Sequence, residues 1–309
     1  MTYDLIIIGG GPAGAAGGVY AARKKLKTLF LTGEFGGQSS VSAEIQNWIG
    51  TKSISGNDLA HQLKEHLFAY QGEDLTIKEK ALVKVVSKNP DGSFTTETSK
   101  GDKFESKTIL IATGAIRRKL AVLGADTFDQ KGLTYCATCD GPLFTDKAVA
   151  VIGGGNAAFE TAMQLSAYCQ SVTLLHHSAE FKADAITVEK VKANPKVAII
   201  TNAETIAVKG DKFVNALVYK DKKSGAEHEL KVEGIFVEIG LVPNSNFVNG
   251  VIDLTPHGSI ITNPRNQQTS TVGVWAAGDV TDGLYHQNNI AAGDAIKAVE
   301  DLYSYLHLR

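Results

Sequence analysis

The feature that most constrains the fold is a strand, glycine turn and helix pattern that occurs twice. DLIIIGGGPAG (residues 4–14) and AVAVIGGGNAA (148–158) both run from an apolar, β-branched stretch into G-x-G-x-x-G/A. The glycine-motif positions are Gly9, Gly11 and Gly14 in the first copy, and Gly153, Gly155 and Ala158 in the second. An alanine-rich helical stretch and a second apolar strand follow each turn, at 28–34 and 172–178. The chain is therefore predicted to contain two βαβ units that bind dinucleotides.

Each βαβ unit is followed by a run with the alternation and turn residues of a small antiparallel meander, at 81–114 and 205–240. The tail, 274–309, offers one more strand, an A-G-D sequence and a long amphipathic helix, which we expect to complete the first domain. The predicted fold class is α/β, with two Rossmann-like dinucleotide-binding domains, each with a small antiparallel β-meander, the second inserted in the first. The predicted boundaries are 1–117, 118–245 and 246–309.

Length and charge exclude several other classes of protein. A chain of 309 residues is long enough for two domains, and a formal net charge of −2 gives no general attraction to nucleic acid or to an anionic membrane. No apolar run approaches the roughly 20 residues that span a bilayer. The first residues lack the basic segment of a signal peptide, so a cytoplasmic and reducing location is expected.

The stretch YCATCDG (135–141) contains two of the three cysteines, Cys136 and Cys139. A zinc site would need two further ligands, and the third cysteine, Cys169, lies in an apolar, helical-looking stretch without a histidine pair nearby, so no metal site is predicted. A structural disulfide over so short a loop would add little stability. The pair is therefore predicted to exchange electrons, and Cys169 to be buried packing.

The first glycine motif has the mechanics of a pyrophosphate site. Gly9 permits the tight turn, and Gly11 lets the backbone approach the pyrophosphate at a helix N-terminus. A ribose-binding acid is expected about 20 residues further on. Glu34 is the only acidic candidate at the end of that strand, and the alternative is an exposed loop carboxylate.

The second unit has no carboxylate at the equivalent strand end. His176 and His177 follow the strand, and Lys182 lies further on. A nicotinamide dinucleotide is still the favoured ligand, and the alternative is a Rossmann-like unit that has lost its ligand.

Taken together, these motifs resemble the low-molecular-weight thioredoxin reductase family over essentially the whole chain. The matching motifs are, in order, GGGPAG, GGQ (36–38), QNWIG (46–50), ATG (112–114), CATCDG, GGGN and AAGD. Within that family, FGGQ, KGLTYC, CDGPLF, AEFKAD and KSGAEHELKVEGIFVEIGLVPN are closer to the reductase module of the alkyl hydroperoxide reductase flavoprotein. The extra amino-terminal thioredoxin-like domain of that flavoprotein is not found in this sequence, so its dithiol partner is expected to be a separate chain.

The resemblance implies that the first domain (1–117 and 246–309) binds FAD and that the inserted domain (118–245) binds NAD(P) and carries the dithiol. The implied FAD-binding residues are Gly9, Gly11, Pro12, Ala13, Gly14, Glu34, Gly37, Gln38, Asn47, Val83, Thr113, Gly114, Gly278, Asp279, Gln287 and Asn288. The residues implied for the nicotinamide coenzyme are Gly153, Gly155, Asn156, Ala158, His176, His177, Lys182 and Gly240. The sequence departs from the family at His286, where Arg is usual, and at VLGA (122–125), where V-P-G-E is usual.

The largest departure concerns the coenzyme. Family members that use NADPH carry H-R-R-x-x-x-R, whereas this chain has HHSAEFK, without any of the three arginines. Each charge-assisted contact to the 2′-phosphate is worth about 1.5–3 kcal/mol, so their loss disfavours NADPH. The acid that the hydroperoxide reductase module offers to the NADH ribose is His176 here. We therefore expect NADH rather than NADPH.

The resemblance also implies roles for the dithiol segment. Cys139 would face the flavin, Cys136 would attack the partner, and Asp140 would carry the proton, its alternative role being to cap the following turn. The implied partner is a thioredoxin- or glutaredoxin-like protein, which could itself serve a peroxiredoxin, and a homodimer is expected. The inserted domain would swing about hinge segments at 116–122 and 241–246, and the basic run from Arg117 to Lys119 would be a solvated face.

Two other functions stay open from the sequence. One is a flavin disulfide reductase that is fed by ferredoxin or another electron carrier, although the intact GGGNAA argues against it. The other is a flavin-bearing redox sensor, which is not an enzyme. Multiple turnover of a thioredoxin with NADH would separate both from a nicotinamide-dependent reductase.

Overall fold

The computed structural model describes residues 2–42 and 45–308, and the side chains of these residues other than Val41, Thr138 and Cys139. The chain divides into two compact units. The first consists of Met1–Ile116 and Val242–Arg309, and the second, Arg117–Leu241, is inserted in it. The chain therefore changes unit after residues 116 and 241, where the sequence predicts 117 and 245.

The helices and strands follow one another in three stretches. Up to the first change of unit they are β1 (Thr2–Ile8), α1 (Pro12–Arg23), β2 (Thr28–Leu31), α2 (Gly56–Phe68), β3 (Leu75–Lys78), β4 (Val83–Lys88), β5 (Phe94–Thr98), β6 (Lys103–Ile111) and β7 (Ala115–Arg117). In the second unit they are α3 (Ala125–Phe128), β8 (Leu133–Thr134), α4 (Ala137–Asp140), β9 (Ala148–Gly153), α5 (Asn156–Ser166), β10 (Ser171–Leu175), α6 (Ala185–Lys192), β11 (Val197–Ile200), β12 (Ala203–Gly210), β13 (Val214–Asp221), β14 (Glu227–Lys231) and β15 (Gly234–Glu238). The last are β16 (Leu241–Pro243), β17 (Val274–Ala276) and α7 (Asn288–His307), and short 3₁₀ segments cover Gly37–Val41, Gly141–Phe144 and Asn246–Val248.

The first unit is built on a sheet that, within the described residues, has seven strands. The strand order is β3-β2-β1-β6-β5-β4, and β17 pairs with β6. The apolar run of β1 is buried on both faces, as expected for the centre of a parallel sheet. The C-terminal half of β6, Ile109–Ile111, pairs in parallel with β17, so the tail of the chain completes this unit.

The second unit separates its parallel and antiparallel strands. Within the described residues, β11-β10-β9-β15-β8 form one sheet, and β12-β13-β14 form a second sheet of three antiparallel strands. In the first unit the antiparallel strands instead continue into the parallel sheet through β6. Both units thus have the glycine turn, crossover helix and meander that the sequence predicts, and the predicted fold class is confirmed.

Several local features differ from the sequence prediction. The strands after the first crossover helices end earlier than predicted, at Leu31 and Leu175, because the chain turns there. Helix α5 ends at Ser166, so Cys169 lies beyond the helix, although it is fully buried as predicted. Helix α2 and strand β3 were not identified from the sequence, where their region has no motif as strong as the glycine turns.

Substitution by alanine is predicted to have opposite effects on the free energy of unfolding at two helical glycines of the first unit. A Cβ on Gly17 would lie 2.7 Å from Cδ2 of the buried Leu110, whereas a Cβ on Gly293 would meet no atom within 4 Å. Because alanine favours the helix in both places, Gly293→Ala should raise the free energy of unfolding by about 0.5–1 kcal/mol. Gly17→Ala should lower it by about 1–3 kcal/mol, because overpacking outweighs that gain.

Urea unfolding of both variants, followed by far-ultraviolet circular dichroism, measures the difference. Equal changes of the same sign would show that the contact between α1 and β6 is looser than the structure has it.

Candidate functional site

The first glycine turn leaves the N-terminus of α1 open. Gly9 has φ +118°, and a Cβ there would lie 2.2 Å from the carbonyl oxygen of Ala112. A Cβ on Gly14 would lie 1.9 Å from the carbonyl oxygen of Gly9, so the helix and strand approach too closely for a side chain. A Cβ on Gly11 would meet no atom within 4 Å, and no side chain caps the helix at Pro12. Free N–H groups beside an empty space suit a pyrophosphate.

The other residues implied for FAD lie mostly around this turn, at the carboxyl ends of the parallel strands. The residues that follow those strand ends are Glu34 after β2, Thr113 and Gly114 after β6, and Gly278 and Asp279 after β17. Ala13 is buried in the first turn of α1, and Glu34 is exposed. Val83 begins β4, two residues beyond Ala81, whose N–H donates to Thr32 just past the end of β2. The carboxyl ends of parallel strands are where open α/β sheets bind their ligands.

Hydrogen bonds bring a second group of these residues to the start of α7. Asn47 Nδ2 donates to Gln287 Oε1 (3.0 Å), and Ser39 Oγ donates to Asn288 Oδ1 (2.7 Å). Gly37 and Gln38 lie in the 3₁₀ segment that precedes Ser42. A Cβ on Gly37 would be 3.6 Å from Cα of Gly11, so this segment reaches the glycine turn itself. The structure therefore collects these predicted residues along one side of the first unit.

The second glycine turn repeats the geometry of the first. A Cβ on Gly153 would lie 2.4 Å from the carbonyl oxygen of Glu238 and 2.7 Å from Cβ of Ala158. A Cβ on Gly155 would meet no atom within 4 Å, and no side chain caps α5. The second unit thus also presents an open helix N-terminus to an anionic ligand.

Asn156, one of the residues predicted to bind the coenzyme, already has a side-chain partner. Asn156 exchanges two hydrogen bonds with Asp184, from its Nδ2 to Oδ2 (3.0 Å) and from the Asp184 N–H to its Oδ1 (2.7 Å). Its side chain therefore ties the start of α5 to the start of α6. Lys182 is exposed and its N–H donates to Gly154, and Gly240 (φ +105°) has open space where a Cβ would stand.

The two histidines line a cavity of about 180 Å³ in the second unit. Its lining residues are Leu120, Ile152, Gly153, Leu175, His176, His177, Ala203, Glu204, Thr205 and Ile239. The imidazole rings of His176 and His177 meet edge to face, with centroids 4.7 Å apart. His176 is buried and His177 is exposed, so His176 forms a buried part of the cavity wall and His177 a part that solvent reaches.

The dithiol segment lies in the second unit, between β8 and β9. Cys136 is disulfide-bonded, and the side chain of Cys139, on α4, lies outside the described residues. The Cys136 N–H donates to Thr134 Oγ1 (3.3 Å), and the Thr134 hydroxyl donates to the Asp140 carboxylate. The Asp140 N–H donates to the carbonyl oxygen of Cys136 (3.0 Å). A hydroxyl therefore links the backbone of Cys136 to the predicted acid.

Asp140 does not cap the turn that follows it. Its side chain makes no capping hydrogen bond to the segment Gly141–Phe144, so the alternative role considered from the sequence is wrong. The residue is 8% exposed, and burial raises the pKa of its carboxyl group, an effect that the hydrogen bond from Thr134 partly opposes. A buried acid with a raised pKa is suited to proton transfer.

One expectation about the basic run is also wrong. Arg117 is half-buried, and its Nη1 lies 3.1 Å from Oε2 of Glu238, whose Oε1 accepts from Thr161 Oγ1 (3.2 Å). Burial raises the pKa of Glu238, and the Arg117 guanidinium opposes that rise. The partners are 121 positions apart, so no local pattern reveals the pair. Arg118 is exposed, as predicted.

Two other features are absent from residues 2–42 and 45–308. No three histidine, cysteine, aspartate or glutamate side chains among them are grouped so as to hold a metal ion. None of the helices there is both long enough and apolar enough to cross a membrane.

Known proteins share both the sequence and the fold. One of the relatives, from the alkyl hydroperoxide reductase of Pseudomonas aeruginosa, is 40% identical over 306 residues. A Bacillus subtilis protein named NADH dehydrogenase is 38% identical over 304 residues. These alignments cover 99% and 98% of this chain, which spans 58% of the length of each relative.

Solved structures match over nearly the whole length of both chains. Thioredoxin reductase from Streptococcus pyogenes has a TM-score of 0.87 at 32% identity, covering 100% of this chain and 99% of that one. Thioredoxin reductase from Giardia duodenalis has a TM-score of 0.88 at 30% identity, with 99% of each chain covered. The family model described as pyridine nucleotide-disulphide oxidoreductase matches residues 3–295. With two open glycine turns and a disulfide-bonded Cys136 beside a buried acid, this chain belongs to the pyridine nucleotide-disulphide oxidoreductase family, and its fold is that of the thioredoxin reductases.

Proposed function

We propose that this protein reduces a disulfide of a thioredoxin- or glutaredoxin-like protein with electrons from NADH, through FAD and a Cys136–Cys139 dithiol. The net reaction is NADH + H⁺ + disulfide → NAD⁺ + dithiol, which balances two electrons and two protons. The observation that carries the proposal is the disulfide-bonded Cys136 joined through Thr134 to a buried acid. The segment with Cys136, Thr134 and Asp140 lies in the unit that also carries the second glycine turn.

The first unit has a fitting place for FAD. The open N-terminus of α1 at Gly11 would hold the pyrophosphate, and Glu34 the adenosine ribose. Asn47 and Gln287, already joined by a hydrogen bond, would line the remainder. FAD, when bound, supplies the two-electron redox chemistry that side chains lack.

The chain's own residues would carry out the exchange with the partner. The Cys136 thiolate attacks a sulfur of the partner disulfide, and the other partner sulfur leaves as a thiol. The Cys139 thiolate then displaces the partner from this mixed disulfide, so that the Cys136–Cys139 bond forms again and the partner leaves fully reduced. Asp140, which is buried and held by the Thr134 hydroxyl, would supply protons to the sulfurs and recover them.

The relatives' names support parts of this proposal. A relative named NADH dehydrogenase agrees with the absence of arginines after β10. Relatives that belong by name to alkyl hydroperoxide reductases support a partner that passes electrons on to a peroxiredoxin.

Anaerobic turnover of a thioredoxin or glutaredoxin disulfide with NADH tests the function directly. Stoichiometric loss of NADH and gain of partner thiols over many turnovers is the expected result. Reduction of the partner only by reduced ferredoxin would favour the carrier-fed reductase. A single turnover of the partner disulfide that neither NADH nor reduced ferredoxin can extend to further turnovers would favour a redox sensor.

Single cysteine variants should distinguish the two thiols. In Cys139→Ser, the thiol that releases the partner is gone, so Cys136 should accumulate as a disulfide-linked complex with the partner. Cys136→Ser should form no such complex. Non-reducing gels and intact mass spectrometry measure the complex, and its appearance in Cys136→Ser alone would exchange the two roles.

Removing the charge of Asp140 should have opposite effects on activity and stability. Asp140→Asn cannot transfer the proton, so turnover should fall by about 10²–10⁴-fold. Burial raises the carboxyl pKa above its ordinary 3.8, so ionisation of Asp140 destabilises the fold as pH rises from 3.8 through the folded-state pKa. The variant should therefore be more stable than the wild type at neutral pH, and lose that advantage when the pH falls below 3.8.

Asp146→Asn, which changes an exposed acid on the same segment, is the matched control and should change neither property. Turnover assays and thermal unfolding at several pH values provide the readouts. Undiminished turnover in Asp140→Asn would remove this residue from the proton path.

Coenzyme preference follows from the charges after β10. NADH should reduce the bound flavin with a kcat/KM at least about tenfold above that of NADPH, because the 2′-phosphate meets no arginine there. Stopped-flow bleaching with each coenzyme measures the ratio, and Lys182→Ala should leave it unchanged. Faster reduction by NADPH, lost in Lys182→Ala, would show that Lys182 reads the phosphate.

A further inference from the structure

The cavity of the second unit holds polar atoms without partners. Nδ1 of His176 and Oγ1 of Thr205 both belong to lining residues, are buried, and have no hydrogen-bond partner among the described residues. His176 is 5% exposed. Neither atom is open to the cavity, and a Cβ on Gly154 would lie 2.1 Å from Nδ1, so the His176 ring packs against that glycine. The polar lining side chains that a ligand can reach are therefore those of the exposed residues His177 and Glu204.

The chemical state of His176 narrows the kind of ligand. Its Nε2 lies 2.9 Å from the carbonyl oxygen of Glu180, which can only accept, so Nε2 carries the proton. Burial lowers the pKa of this imidazole, which favours the neutral ring with a lone pair on Nδ1. His176 therefore brings no positive charge to the cavity with which a phosphate could pair.

A carboxylate reaches the same cavity from a different strand. The Ala203 N–H donates to the carbonyl oxygen of His176 (2.9 Å), so the start of β12 runs beside the end of β10. Glu204 follows Ala203 directly and is exposed at the cavity. The pairing of β12 with β13 shifts register between Thr205 and Ala207, a type of irregularity that redirects side chains. Glu204 and Thr205 lie before this shift, in regular register with Lys220 and Tyr219, and both belong to the residues that line the cavity.

The Glu204 carboxylate is available for a ligand. It has no hydrogen bond or ion pair with another described residue, and Lys220, its register partner on β13, makes none with it. Glu238, the buried acid at the end of β15, is by contrast already held by Arg117 and Thr161. Of the two acids, Glu204 and Glu238, Glu204 is therefore the one whose carboxylate is free to bind a ligand.

We propose that Glu204 is the residue that selects the coenzyme, accepting a hydrogen bond from the 2′-hydroxyl of the adenosine ribose of NADH. The proposal rests on the proposed function and names the acid that the end of β10 lacks. A carboxylate at this place binds a hydroxyl and repels a 2′-phosphate. Specificity thus comes from β12, whereas the usual fingerprint places the acid at the end of the second strand of the βαβ unit.

Binding without electron transfer tests the assignment. The ligands are ADP-ribose, its adenosine 2′-deoxy analogue and its adenosine 2′-phosphate derivative, titrated calorimetrically into the oxidised FAD-loaded protein at one pH and ionic strength. Wild type should bind ADP-ribose about tenfold more tightly than either analogue. Glu204→Gln should weaken ADP-ribose about tenfold, leave the deoxy analogue unchanged and bind the phosphate derivative more tightly.

Glu227→Gln, an exposed glutamate on β14 of the same three-stranded sheet and outside the cavity lining, is the matched control and should bind like wild type. Glu204→Lys should go further and favour the phosphate derivative over ADP-ribose. A Glu204→Gln that binds all three ligands like Glu227→Gln would overturn the role of Glu204 and leave the proposed function standing. Wild-type protein that binds none of the three would overturn the nicotinamide-dependent function, and this inference with it.

Discussion

In both units the first helix approaches the strand before it so closely that the turn between them requires glycine. At Gly14 and Gly9 the approach leaves no room for a Cβ, and in the second unit Gly153 has no room for one beside the Cβ of Ala158. Because the helix begins directly over the edge of the sheet, its free N–H groups and partial positive charge face the space where the strands end. Both compact units therefore have an uncapped helix N-terminus beside open space.

The second unit carries the segment that contains Cys136 and Asp140. The segment that bears Cys136 lies between β8 and β9, and Asp140 is buried against Thr134. Desolvation keeps its carboxyl pKa high, so the same burial that costs stability provides an acid suited to exchanging protons with a thiol. The disulfide-bonded Cys136 and the cavity lined by His176 consequently share one folded unit, and the first glycine turn belongs to the other.

The sequence was informative where a function needs a particular residue type at a fixed local spacing. The glycine turns and their helices follow from such patterns. The tail was expected only to complete the first domain, and its pairing with β6 is a finding of the structure. Side-chain partners distant in the chain could not be found in this way. Arg117 was expected to be solvated because nothing near it in the sequence indicates Glu238.

Glu204 illustrates the same limit within the candidate site. The strand that usually carries a ribose-binding acid, β10, is followed directly by two histidines. Glu204 is brought to the end of β10 by the hydrogen bond from the Ala203 N–H to the carbonyl oxygen of His176, which depends on tertiary structure. A hydrophobic pattern specifies which face of a strand is buried, but it does not say which neighbouring strand a loop will meet.

In the proposed function, electrons from NADH reach the disulfide of Cys136. Anaerobic addition of NADH to the FAD-loaded protein, without any partner, followed by acid quenching, alkylation and peptide mass spectrometry, measures this transfer. The peptide containing Cys136 and Cys139 should gain two alkyl groups, and Cys169 should be alkylated to the same extent before and after NADH. A peptide that stays disulfide-bonded while the flavin is reduced would show that electrons do not pass from the flavin to this disulfide.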